Sequence, residues 1–451
     1  MTATEIRESV AAGAAGYLAD FERFQRELPP GEPAAVKALR RMAIERFAAL
    51  GFPTSRQQEE WRQTNVAPIA QGTFQRSESD PDALDPVKMA PFLFAAAARL
   101  VFVDGRFSAR LSSLGDLPQG VVVASLAQAL ERSPEKAEPW LGQFARFEDH
   151  PFVALNTAFL RDGAFVWVPR GATVGPVHLL FLSSSEDDGR ATVSFPRNLI
   201  VAGESSQLTL VETYAGFGSY FNCPVTELVA EPNSVVDHYK VQRESREAFH
   251  MATFQLQGER NCVPASHSIA LGGALVRNDV NAVLDGEGID CILNGLYLLN
   301  GSQFVDNHMR VEHAKPHCAS HELYKGVLDG KARSVFNGLI HVHPGAQKTD
   351  AKQSNRNLLL SRDAVANSNP QLEIYADDVK CTHGSTVGQL DEDAVFYLRS
   401  RGIGAEAARS LLTYAFASDI VERIKVEPVR RDLEEFLFAR LPQGETVRQA
   451  V

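Results

Sequence analysis

Apolar residues recur at helical spacing over Ile6 to Leu28 and again over Pro33 to Leu50. This predicts two amphipathic helices. Gly51 follows the second as a natural stop, and Pro33 suits a first turn. Phe52-Pro53-Thr54-Ser55 then reads as a turn with an N-cap, Gln57 and Gln58 at capping-box distance and Trp61 just beyond. Gln71 to Leu84 is looser and acidic, as a connection would be.

From about Leu100 to Val387 the pattern changes. Short runs of β-branched and aromatic residues, such as Leu199 to Gly203, Gln207 to Glu212, Ala274 to Leu284 and Cys291 to Leu299, predict strands. Asp285-Gly286, Asn294-Gly295, Asn300-Gly301, Asp329-Gly330 and Asn337-Gly338 read as turns between them. Many short strands imply a sandwich, a barrel or a solenoid. A sandwich of this length would be unusually large, whereas a solenoid grows by adding coils that touch only their neighbours. The strands lack a clean hydrophobic-in, polar-out rhythm, and no strict repeat period is visible. A parallel β-helix is the fold these features favour.

Helical spacing returns at the C-terminal end. Asp391 to Arg401 opens with acids and closes with arginines, in accord with the helix dipole, and Gly402 follows. Ala405 to Lys425 places Ala408, Leu411, Leu412 and Ala415 on one face. Pro428 ends that helix, and Val429, Leu433, Phe436, Leu437 and Leu441 form another stripe. These helices either cap the solenoid or offer a surface to a partner.

The chain of 451 residues is longer than one compact core usually supports, so roughly two to three domains are expected. The net charge of -11 and the lack of a Lys/Arg-rich block argue against a nucleic-acid or anionic-membrane binder. The most apolar stretch, Phe92 to Val103, is too short to span a bilayer and is interrupted by Arg99. The opening residues, Met1 to Val10, do not read as a signal peptide, so a cytoplasmic protein is expected.

Five scattered cysteines, Cys223, Cys262, Cys291, Cys318 and Cys381, include no C-x-x-C. A disulfide framework and a preformed cysteine-rich metal site are therefore not expected, and each reads first as a small buried hydrophobe. Among the histidines, His308, His313, His317 and His321 share a segment, but Pro316 breaks any single helix face. His341 and His343 share a strand face, and a metal there would need a third ligand from the next coil. Cys381 and His383 also stand two residues apart, and a thiol and an imidazole on one face suit a soft metal such as iron. Two ligands are too few, so the rest would come from another coil or a second chain. No phosphate-binding loop or nucleophile elbow is present, so any ATP used must be bound by another polypeptide.

Several runs carry a resemblance. They are Asp306-Asn307-His308, Val311 to Cys318, Tyr324-Lys325-Gly326-Val327, Phe336-Asn337-Gly338, Ala346 to Ala351 and Asn357-Leu358-Leu359-Leu360. Together they resemble the core of the SufB/SufD family of iron–sulfur cluster assembly proteins. Pro370 to Leu390, followed by Phe396 to Ile403, is similar to the SufD branch. At the N-terminus, Gly51 to Thr54 and Glu60 to Thr64 still fit. The resemblance implies a mainly β fold: a right-handed parallel β-helix over 96–388, between helical regions at 1–95 and 389–451.

It also implies a non-catalytic scaffold that pairs with SufB, binds the ATPase SufC through its C-terminal helices, and passes clusters to carrier or target proteins. A homodimer is an alternative assembly. By the resemblance, Asn355 stands where SufB carries a cysteine implicated in sulfur handling, so this chain alone would hold no complete cluster and no tightly bound cofactor. Cys381 and His383 would help hold a transient cluster or its iron, completed by SufB. Phe396, Tyr397, Arg401, Leu411 and Leu412 would meet SufC. The rival readings are a purely structural partner of SufB and a β-helix carbohydrate-active enzyme.

Overall fold

The structure, a computed structural model, describes residues 3–28, 32–54, 58–185 and 189–450; of residues 3–12 and 450 it describes the backbone alone. The first two helices run Ala3–Glu27 and Ala34–Leu50. Gly51 closes the second at φ +63°, where a residue without Cβ is favoured, and donates its N–H to the Phe47 carbonyl at 2.8 Å. Ser55 and Gln57 of the expected capping box lie outside the described residues. Gln58 precedes a single tight turn, Glu59–Trp61.

The centre is a parallel β-solenoid. Strands Arg197–Ala202, Val225–Ala230, Phe249–Gly258, Leu275–Leu284, Phe304–His313, Arg333–Val342 and Val365–Ile374 succeed one another in one sheet. Strands Gln207–Phe217, Val235–Arg243, Val263–Ala270, Asp290–Leu299, Ala319–Leu328, Asp350–Leu359 and Lys380–Gly388 succeed one another in the other. The chain alternates between the sheets, so one strand from each makes a coil, and each strand pairs in parallel with its counterpart one coil on.

The coil length is not constant. Asn278 bonds Asn307 at a separation of 29 residues, whereas His341 bonds Glu373 at 32. This variation hides the repeat from a sequence period.

Two expected turns are not turns. Asn294-Gly295 and Asn337-Gly338 lie inside strands. Their glycines make room in the solenoid interior: a Cβ on Gly295 would stand 2.2 Å from the Tyr324 ring, and one on Gly338 would stand 2.4 Å from the Gln353 amide; in the coil between, a Cβ on Gly326 would stand 2.1 Å from the Tyr297 ring. Large and empty positions thus alternate between adjacent coils. Asn300-Gly301 and Asp329-Gly330 are turns, with glycine φ of +67° and +66°.

A second difference falls within the stretch predicted as strands. Leu126–Arg132, Pro134–Ala137 and Pro151–Ala158 are helices. Ser125 caps the first by accepting from the Gln128 N–H, and its Leu126, Ala129 and Leu130 pack on Phe165, Leu199 and Val201.

The terminal helical regions cover the two outer sheet faces. Tyr17, Phe47, Phe52 and Trp61 join Phe152, Phe221 and Met251 in one aromatic-rich cluster over the first sheet. Ala405–Val421 and Glu427–Arg440 lie along the second sheet, where Ile420, Ile424 and Leu433 cover Tyr239, Ile269, Leu296 and Val327. These C-terminal helices flank the solenoid and leave its final coil uncapped. The buried face of Ala405–Val421 holds Ala408, Tyr414, Ala417 and Val421, and the expected stripe is displaced: Ala415 is exposed, and Leu411 and Leu412 are half-buried. Apolar residues surround this helix, so spacing alone leaves the direction of its stripe open. No helix among the described residues is long and apolar enough to cross a membrane.

Candidate functional site

The final coil, Val365–Ile374 with Lys380–Gly388, ends both sheets, and no described strand pairs with its outer edge. Lys380–Gly388 is mostly exposed. Register places Cys381 beside Ala351 and His383 beside Gln353. Ala351 and Gln353 are buried, with Lys352 between them exposed. Cys381 and His383 therefore occupy the interior-facing positions of a coil with nothing stacked on it. Cys381 is half-buried against Ala351, Ile340 and Val342, whereas His383 is exposed. Partial burial raises the Cys381 thiol pKa, the Asp350 carboxylate adds to this, and a backbone hydrogen bond from Ala351 opposes it.

Behind these residues lies a row, polar but for Leu293, that the strand pattern did not single out. The position of His383 is preceded in register by Gln353, Glu322, Leu293, Ser266 and His238. Gln353 Nε2 donates to Glu322 Oε2 at 2.9 Å, and Glu322 Oε1 and Gln353 Oε1 have no partner among the described residues. Burial pushes the Glu322 carboxyl up to about 7.

Farther in, His238 Nδ1 lies 2.8 Å from Ser266 Oγ, and Lys240 Nζ donates to Asn278 Oδ1 at 2.6 Å. Burial lowers Lys240 to about 8. His238, Lys240, Glu212 and Tyr324 border a cavity of about 20 Å³, room for about one water. The one sequence signal of this interior was the missing hydrophobic-in, polar-out rhythm: inner positions carry polar residues, some of which bond to neighbouring coils. Asn355 belongs to the same interior, donating to Tyr297 Oη at 3.0 Å and accepting from Asn357 Nδ2 at 2.7 Å.

The other candidates are distributed differently. Cys223, Cys262, Cys291 and Cys318 are buried, and burial raises each thiol, Cys262 to about 12. Such thiols are poor nucleophiles. His308 and His313 lie on one strand, His317 in a turn at φ +60° and His321 on the next strand. His313 is buried and bonds Ser320 Oγ at 2.9 Å. His341 and His343 do meet, with ring centroids 4.6 Å apart. His341 Nδ1 bonds Glu373 at 2.9 Å and His343 Nε2 approaches Glu312 at 3.5 Å, so the adjoining coils supply hydrogen-bonding carboxylates. Among the described residues, no three His, Cys, Asp or Glu side chains converge as a metal site. Phe396 and Tyr397 are 70% and 57% exposed. Arg401 donates to Tyr397 Oη at 3.1 Å and lies over its ring.

Fold and site together define a parallel β-solenoid protein flanked by helices, with a thiol and an imidazole at its uncovered end. Residues 12–177 match the SufBD protein N-terminal region, and residues 181–416 match the SufBD core domain of SUF-system FeS cluster assembly. The chain belongs to the SufBD family of iron–sulfur cluster assembly proteins.

It is 33% identical to an iron–sulfur cluster assembly SufBD family protein of Synechocystis, covering 89% of this chain and 90% of the relative. It is 29% identical to the iron–sulfur cluster assembly protein SufD of Escherichia coli, over 89% and 92% of the two chains. It is 28% identical to SufD of Bacillus subtilis, over 92% and 95%.

Proposed function

We propose that this chain is a SufD-type, non-catalytic scaffold subunit of the SUF system. In this reading it acts in the cytoplasm and pairs through its uncovered final coil with a SufB-type partner. Cys381 and His383 help hold a nascent cluster or its iron as cargo, and the partner supplies the remaining ligands. The observation that carries the reading is the placement of both side chains at interior-facing positions of an edge strand that a second solenoid can continue. A SufC-type ATPase docks on the C-terminal region through Phe396, Tyr397 and Arg401, with Leu411 and Leu412 contributing their exposed parts. The region 1–95 buttresses the solenoid over 96–388, and 389–451 is the docking region. Pairing of two copies through the same edge is the homodimeric form. Clusters then pass to carrier or target proteins.

The test is His383→Ala in the complete complex. His383 is exposed and, among the described residues, belongs to no core cluster, so folding and SufB pairing should be retained. Iron and acid-labile sulfide in the reconstituted complex should fall sharply, and Cys381→Ser should act in the same direction. Normal cluster assembly by both variants would leave only the structural-partner reading.

A further inference from the structure

Away from the uncovered coil, four arginines from four separate segments line one cleft. Arg23 comes from the first helix, Arg76 from the short strand Gln75–Arg76, Arg106 from the start of strand Arg106–Leu114, and Arg161 from the chain after helix Pro151–Ala158. The cleft measures about 190 Å³ and joins a smaller one of about 40 Å³, the two sharing Arg76, Ser77, Arg106 and Arg161. This concentration of cations stands out in a chain of net charge -11.

Three of the four arginines are engaged. Arg76 is held by Asp20 at 2.8 Å and Glu27 at 2.7 Å. Arg23 reaches the same two carboxylates. Arg106 donates to the Ser79 carbonyl at 2.8 Å and the Glu78 carbonyl at 3.3 Å. Arg161 is half-buried and has no hydrogen-bond or ion-pair partner among the described residues. Burial, then Arg106 and Arg76, act to lower its pKa, with Glu27 and Asp162 opposing them. A guanidinium held partly out of water beside two like charges, with no acceptor, is stabilised by an incoming anion.

Donor chemistry narrows the ligand class. A guanidinium presents a planar fork of N–H groups that suits the oxygens of a tetrahedral oxyanion. Ser77 Oγ accepts from the Ser79 N–H at 3.2 Å, which leaves its own proton available for a ligand oxygen. The acids of the cleft have other places: Glu27 is engaged by Arg76, and Asp104 accepts from the Ser184 N–H at 2.8 Å. Glu78, which is exposed, and Glu27 line the same cleft and oppose an anion.

We infer that this cleft is a binding site for a phosphate-class oxyanion, with Arg161 and Arg106 as its principal contacts and Ser77 as a third. The site is independent of the cluster-assembly reading. The experiment is calorimetric titration of the full chain with inorganic phosphate, and separately with glycerol phosphate, replacing chloride at constant ionic strength. Saturable binding is expected. Arg161→Gln and Arg106→Gln should each weaken it by about tenfold or more, the loss of a charge-assisted contact. Arg170→Gln, which removes an exposed partner of Glu204, should leave it unchanged. Glu78→Gln should tighten it. Tighter binding of the ester than of the free ion would assign the site to a phosphorylated metabolite; the reverse would assign it to phosphate itself. Thermal melts establish that each variant is folded. No saturable binding by the wild-type chain, or equal affinity in folded Arg161→Gln and Arg106→Gln, would overturn the inference.

Discussion

Glu322→Gln isolates the energetics of the solenoid interior. Glu322 is 3% exposed, and among the described residues its one hydrogen bond is from the Gln353 amide at 2.9 Å. Burial raises its carboxyl from an ordinary 4.5 to about 7, with the Gln353 bond opposing the shift. Between those values the folded chain keeps a proton that the unfolded chain releases. Wild-type stability therefore falls as pH rises across this window and levels off above about 7. At about 1.4 kcal/mol per pH unit, the ionised carboxylate costs roughly 3 kcal/mol at pH 8 relative to pH 4.5.

The amide substitution keeps the shape and the bond to Gln353 but cannot ionise. Urea unfolding of both chains at half-unit steps from pH 4.5 to 8.5 reads the effect. The variant should match the wild type near pH 4.5 and exceed it by up to about 3 kcal/mol above pH 7.5. Other titrating groups, such as Lys240 and His313, contribute to both chains and cancel in the difference. A stability difference that stays the same at pH 5 and pH 8 would refute the reasoning, because Glu322 would then titrate as a solvated carboxyl.

Three further outcomes follow from the packing and the surface. Gly326→Ala places a Cβ 2.1 Å from the Tyr297 ring, and should lower stability by about 1–3 kcal/mol in thermal unfolding. Arg197 and Glu227 form a fully buried pair at 2.6 Å, so Arg197→Ala should cost about 3 kcal/mol by leaving the Glu227 carboxylate buried without its cation, held by the backbone N–H groups of Gly142, Phe144 and Ala145; denaturant unfolding measures it. Phe396→Ala with Tyr397→Ala should leave the melting temperature unchanged, because both rings are exposed, while weakening capture of a SufC-type ATPase in pull-down. Unaltered capture would place docking elsewhere.

Much of the local structure was legible in the residues themselves. The helix at Ala34–Leu50 with its Gly51 stop, the helix opened by Asp391, and the long series of short strands all follow from spacing, caps and β-branched content, which act over a few residues. The runs around Val311 to Cys318 and Pro370 to Leu390 carried the family as well. Other features depended on what each coil meets in space. Asn294-Gly295 reads as a turn until Tyr324, one coil on, occupies the room that the missing Cβ leaves. The direction of the buried stripe on Ala405–Val421 is chosen by Tyr239, Ile269 and Leu296, distant in sequence and adjacent across the sheet.

Cys381 and His383 share a strand face by their spacing alone, yet only the stacking order leaves that face uncovered and aligns it with Gln353 and Glu322. The four arginines of the N-terminal cleft carry no common motif, because segments far apart in the chain bring them together. Alternation and capping are properties of neighbouring residues, whereas burial, register between coils and the convergence of charge arise only once the solenoid is wound.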